Sequence, residues 1–156
     1  MALLTIRTQD DTILAKPSRV VTAFDGRLHT LLDDMKETLA AAGGVGLAAP
    51  QVGVLRRVCV IDTEDTGYLE LVNPEITALF GSEEMPEGCL SIPGLYGYVE
   101  RPLCVTVRAQ DRHGQETQHI AEGFSARAFC HEIDHLEGLL FTRLVSRWYE
   151  PEEETP

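Results

Sequence analysis

Apolar residues first recur with a helical period at Leu28, Leu31, Leu32, Met35 and Leu39, positions i, i+3, i+4, i+7 and i+11. Asp33, Asp34, Lys36 and Glu37 take the opposite face. That spacing predicts an amphipathic packing helix. Thr22 or Asp25 can cap its start, and Gly43-Gly44 can end it. Residues 1–21 show no period and contain Pro17, so they are expected to wrap the surface irregularly. Val58-Cys59-Val60-Ile61 is a short continuous apolar run, the pattern of a strand buried on both faces. Leu69 to Val72 and Ile76 to Phe80 read as two further strands separated by Asn73-Pro74. Gly81 to Gly97, with Pro86, Gly88, Pro93 and Gly94, reads as loop. Leu103, Val105, Val107 and Ala109 alternate with polar or smaller residues, a half-buried strand. Asp111 to Gly114 turns the chain, and Glu116 to Ala121 returns as the hairpin partner.

The last periodic stretch runs from Ala126 to Gly138. At about 100° per residue, Ala126, Phe129, Cys130, Ile133 and Leu136 form one apolar stripe, with His131 and His135 roughly opposite it. A surface helix would carry solvated charges there. Two histidines and Ala128 suit burial on both sides, with the histidine face lining a cleft. Ser125 is the expected cap and Gly138 the expected stop. The order of elements predicts an α+β fold. Antiparallel strands would surround a central buried helix, preceded by the N-terminal amphipathic helix.

Composition narrows the function classes. Thirteen basic against 25 acidic residues give a formal net charge of −12, which argues against a nucleic-acid-binding surface. No apolar stretch approaches the ~20 residues needed to span a bilayer, and the N-terminus lacks a secretory pattern. Cys59, Cys89, Cys104 and Cys130 have no CxxC spacing. These features fit a reduced, cytoplasmic protein, or an organellar one whose transit peptide has been removed.

His131-Glu132-Ile133-Asp134-His135 spells HExxH. Residues four apart on a helix lie one above the other, so both imidazoles can reach one metal ion, with Glu132 placed to handle a proton of the attacking water. The plain alternative is two core histidines, since the motif is short. A catalytic site commonly takes a third protein ligand. The longer metalloprotease pattern would place it at Phe141, which cannot ligate, and downstream acids are confined to Glu137, Glu150 and the tail. The third ligand is therefore expected upstream. Cys59, Cys104 and Cys130 sit where a small hydrophobe would serve. Cys89 differs, because it follows Gly88 in a turn that can present a thiolate to a cleft. The stretch Gly44 to Ala49 also reads G-x-G-x-x-A, but it follows a helix and runs into Pro50, the wrong setting for a dinucleotide fingerprint.

With three motifs in order, GVGLAAPQ at Gly44 to Gln51, EGCLS at Glu87 to Ser91 and HEIDHLEG at His131 to Gly138, the chain resembles the peptide deformylase family over roughly residues 5–145. The resemblance implies removal of the formyl group from N-formylmethionyl peptides and nascent chains. By position it implies metal ligation by Cys89, His131 and His135, with Glu132 as general acid/base. Gln51 and the Leu90 N–H would donate to the oxyanion. Gly46 would align the substrate backbone, and Leu47 with its alanine neighbours would line the methionine pocket. One divalent ion is implied, Fe²⁺, replaceable by Zn²⁺, Ni²⁺ or Co²⁺; ligand chemistry alone would suggest zinc. Two departures stand out. No arginine follows EGCLSIP, where some members use one to hold substrate, and no long C-terminal helix is available for ribosome contact. The expected layout is a catalytic domain over 1–147 and an acidic, disordered tail over 148–156. A zincin endopeptidase and a silent, peptide-binding relative are the competing readings. Arg101 is set to pair with Glu87 or Asp134.

Overall fold

The computed structural model describes residues 2–149. In chain order its elements are α1 (Gly26–Ala42), β1 (Gly46–Ala48), β2 (Val58–Thr63), β3 (Gly67–Phe80), β4 (Glu83–Cys89), β5 (Ile92–Arg101), β6 (Cys104–Gln110), β7 (Glu116–Glu122), α2 (Phe124–Leu136) and β8 (Val145–Trp148). Three single 3-10 turns, Thr12–Ala15, Ala49–Val52 and Phe141–Leu144, complete them. All strand pairs are antiparallel, in a five-stranded sheet of order β1-β2-β3-β6-β7 and a three-stranded sheet of order β4-β5-β8. This is the expected class, mixed α and β with antiparallel sheets and two α-helices. No described helix is long and apolar enough to cross a membrane.

The continuous apolar run in β2 has a direct packing cause. Its residues alternate between two cores. Val58 and Val60 join Leu28, Leu32, Met35 and Leu39 of α1, whereas Cys59 and Ile61 join Ala126, Phe129, Cys130 and Ile133 of α2. A strand covered on both faces has no polar positions to spare. The Asp25 carboxylate accepts the Leu28 N–H at 3.2 Å and caps α1. In α2 every residue except Phe124 and Asp134 is buried.

Several expectations give way to tertiary pairing. The two strands foreseen on either side of Asn73-Pro74 are one, β3, with its register shifted between Val72 and Glu75. Asn73 adopts a left-handed backbone (φ 51°), and its side-chain amide exchanges hydrogen bonds with the Val21 N–H and C=O at 2.8 and 2.9 Å. An amide side chain thereby replaces a strand neighbour and ties down the N-terminal segment. The 81–97 stretch is not a loop but β4 and most of β5. Ser125 does not cap α2: Gly123 holds that position, and the Ser125 hydroxyl lies 2.8 Å from Thr63 Oγ1. The tail expected from 148 starts later, since Trp148 belongs to β8 and the Tyr149 N–H donates to Tyr96 O at 2.7 Å. Residues 150–156 lie outside the described residues.

Candidate metal centre

Helix α2 supplies the first two donors by local geometry alone. His131 and His135 are one turn apart, with Nε2 atoms separated by 3.2 Å. Strand β4 delivers the third. Cys89, its last residue, places Sγ 3.4 Å from His135 Nε2. Among the described residues this is the one Cys/His/Asp/Glu group whose donor atoms all lie within 4.8 Å of one another. Donors bound tetrahedrally to a zinc-sized ion stand roughly 3.4 Å (N to N) and 3.6 Å (S to N) apart. The observed separations match those edges closely, so the residues present fit a divalent ion. Cys59, Cys104 and Cys130 are free thiols with no part in the cluster.

The electrostatics also favour a cation. Burial opposes charge on His131, but Glu132, Cys89 and Glu87 more than offset it and push its pKa well up. Burial, reinforced by the charge on His131, pushes His135 well down. A site that draws a proton onto one imidazole because anions surround it is one where a metal can take the proton's place. His135 Nδ1 is buried and has no hydrogen-bond partner among the described residues. Burial pushes Glu132 up to about 7, against the pull of His131. Its Oε1 also has no partner, and Oε2 lies against Gly46, where any Cβ would collide with the carboxylate. Only glycine at 46 lets the β1 backbone come this close to Glu132.

Gln51 enters from the 3-10 turn after β1. Its Oε1 accepts the Ala48 N–H at 2.9 Å. That leaves the NH₂ to reach Ser91 Oγ at 3.0 Å and Cys89 Sγ at 3.6 Å. Leu90 follows Cys89, and its side chain abuts Gly44 across the cleft. One cleft of about 480 Å³ is lined by Gly46, Gln51, Cys89, Leu90, His131 and Glu132. Leu47 is the exception among the sequence candidates. It is fully buried with the α1 leucines and is absent from the cleft lining. The two-residue strand period turns its side chain away from the face that Gly46 presents.

Sequence reasoning missed most of the ionic support. Arg101 meets both of its foreseen partners. It grips Glu87 with two nitrogens (3.0 and 2.7 Å) and Asp134 with the third (2.7 Å). Arg127 Nη1 also donates to Glu87 (3.1 Å) and to Val99 O (2.8 Å), while Nη2 donates to Glu83 O (2.8 Å). Glu87 then accepts from His131 Nδ1 at 2.6 Å. Burial alone would raise the Glu87 pKa, but the His131 and Arg101 hydrogen bonds bring it down to about 2. An anionic Glu87 fixes the His131 tautomer that leaves Nε2 free toward the cluster. The available signal was an acid two residues before the turn cysteine. Arg127 gave none, because an arginine beside an apolar stripe reads as solvated.

A family model described as polypeptide deformylase matches residues 3–150. Peptide deformylase of Caldicellulosiruptor bescii is 58% identical over 98% of this chain and 92% of its own length. Peptide deformylase 1 of Bacillus cereus is 53% identical over 98% and 99%. Among solved structures, a peptide deformylase from Legionella pneumophila superposes with a TM-score of 0.89 at 44% identity, over 92% of this chain and 86% of that one.

Proposed function

Given that the chain belongs to the peptide deformylase family and is a hydrolase, we propose that it removes the formyl group from N-formylmethionyl ends of nascent chains, with a divalent ion held by Cys89, His131 and His135. Fe²⁺ is the proposed ion, with Zn²⁺, Ni²⁺ or Co²⁺ as substitutes, and the cytoplasm the proposed compartment. The observation that carries this reading is the convergence, in one cleft, of a Cys-His-His donor set, an unpartnered buried carboxylate and an amide NH₂. Helix α2 is on this reading the element around which the sheets are arranged.

A bound divalent ion supplies Lewis acidity, which lowers the pKa of water toward ~7. The remaining work falls to the chain. The Gly44–Gly46 segment and the end of β4 face each other across the cleft and align the peptide backbone between them. Glu132 accepts a proton from the attacking water through its free Oε1. Water oxygen adds to the formyl carbon, and the carbonyl oxygen gains charge that the Gln51 NH₂ and the Leu90 N–H stabilise. Glu132 then passes the proton to the departing nitrogen as the C–N bond breaks, giving formate and a free amino terminus. Contact between Gly46 and Glu132 leaves little room beside the reacting carbon, which supports exclusion of acyl groups larger than formyl. The methionine side chain is assigned to the apolar wall of Leu90, Ile92 and Ala128 rather than to Leu47.

The endopeptidase reading has no support at its third ligand position. Phe141 is buried and its ring centroid lies 6.0 Å from that of His131, a packing contact. The deciding assay incubates metal-loaded protein with formyl-Met-Ala-Ser and with the unblocked peptide. Formate from the first and no cleavage of the second is expected; chain cleavage without formate would reverse the assignment.

Glu87→Gln tests the support of His131. The amide keeps an acceptor but loses the charge that two arginines and an imidazole share, and metal affinity is expected to fall ~10–100-fold, as for other partners of metal-bound histidine. Competition with a chelator measures this. Denaturant unfolding of the metal-free variant should also show a loss of ~3–5 kcal/mol, because Arg101 is left as an uncompensated buried charge.

A further inference from the structure

The cleft is bordered by apolar side chains that the fold leaves uncovered. Val45, Leu95, Tyr96 and Phe124 are 39, 48, 52 and 59% exposed, and all four line the cleft that holds Cys89, His131 and Glu132. They arrive from three places: the turn after α1, the middle of β5 and the first residue of α2. Exposed large hydrophobics that gather around one opening are unlike scattered ones, which need no explanation.

Tyr96 is held in place. A Cβ at Gly88 would approach its ring to 2.5 Å, so the ring lies directly on the β4 backbone beside Cys89. The Tyr96 carbonyl is fixed by the Tyr149 N–H. The rim offers no charge in return. The charged side chains lining the cleft, Glu87, Arg127, His131 and Glu132, are each at least 93% buried, and Glu87, Arg127 and His131 are bonded to one another.

We infer that this apolar rim selects the residues that follow the formylated one, favouring aromatic and large aliphatic side chains at the second and third positions of the substrate and rejecting Asp and Glu. The inference rests on the deformylase reading and names its substrate class. An aromatic side chain against Tyr96 or Phe124 removes apolar surface of both partners from water. A carboxylate there loses hydration with no cation to receive it, in a chain of net charge −12. Lysine and arginine fall between, since their stems cover the rim and their charge can stand over a ring.

The test compares kcat/KM of the metal-loaded protein for formyl-Met-Phe-Phe, formyl-Met-Lys-Lys and formyl-Met-Asp-Asp, with formyl-Met-Ala-Ser as reference. A Phe-to-Asp ratio of roughly ten- to a hundredfold is expected from the burial of one or two side chains. Tyr96→Ser combined with Phe124→Ser should bring the ratio toward one. Ile120→Ser, which removes an equally exposed apolar side chain from β7 outside the cleft, should leave it unchanged. Calorimetry of the product Met-Phe-Phe with metal-free protein should show the same loss in the double variant. A wild-type ratio near one, or a ratio that survives the double substitution, overturns the inference while formate is still released from formyl-Met-Ala-Ser. Absence of formate from that reference peptide removes the deformylase reading itself.

Discussion

Glu132→Ala is expected to lower kcat for formate release by ~10²–10⁴-fold while the metal content stays at that of the parent. That is the usual worth of a positioned acid/base. The carboxylate is 3% exposed, has a free Oε1 and is pushed up to about 7 by burial. A group in that state can both take and give a proton near neutrality. Glu132→Gln preserves the shape and contact with Gly46 but cannot carry the proton, so it should lose nearly as much. Stability should move the other way. Removing a buried carboxylate that lacks a hydrogen-bond partner relieves a desolvation penalty, so both variants should unfold at equal or higher denaturant concentration. Metal analysis, steady-state kinetics and urea unfolding of the three proteins measure the separate parts. Full activity in Glu132→Gln would dismiss the proton-transfer role.

Cys89→Ala should act on the ion instead. Two histidines one helical turn apart remain, but a binding energy of ~10–16 kcal/mol shared among three or four ligands loses one share, on the order of 10²–10³-fold in affinity. Purified variant should carry little metal and release formate only at the trace level that residual ion allows. The fold should persist, because Cys89 is half-buried at the end of β4 and packs at the margin of the small core formed by Ile92, Val99 and Phe141. Near-ultraviolet dichroism checks the fold, and metal analysis after dialysis checks the ligand. A metal-replete, active Cys89→Ala protein would overturn the assignment of the third ligand.

The contrast between these residues follows how far their chemistry could be seen along the chain. His131, Glu132 and His135 were readable because a helix fixes the relation of residues four apart, whatever surrounds it. The packing of α1 was readable from its apolar period for the same reason. Strand β4 was hidden. Glu83 to Cys89 contains three acids, a proline and a glycine, the composition of a loop. It is nevertheless a strand, because it stands at the edge of its sheet, where Pro86 is tolerated opposite Tyr98. Its inward acid, Glu87, is neutralised there by Arg101, Arg127 and His131. None of those partners is local. Leu47 was misplaced for a related reason: its motif marks a close approach of backbone, and only the pairing of β1 with β2 fixes which side chains turn to the cleft.

The sequence by itself determined the helical donor pair, the general acid beside it and the identity of the other reactive groups. Tertiary structure alone decided that Cys89 and Gln51 meet those donors. It also decided that one acid, Glu87, joins two arginines to a metal-facing histidine, and that four exposed apolar residues share a single opening. The physical division is between distances set within one turn of backbone and distances set by sheet register, where residues 38 to 46 positions apart are brought within hydrogen-bond reach by pairing and burial that no local propensity encodes.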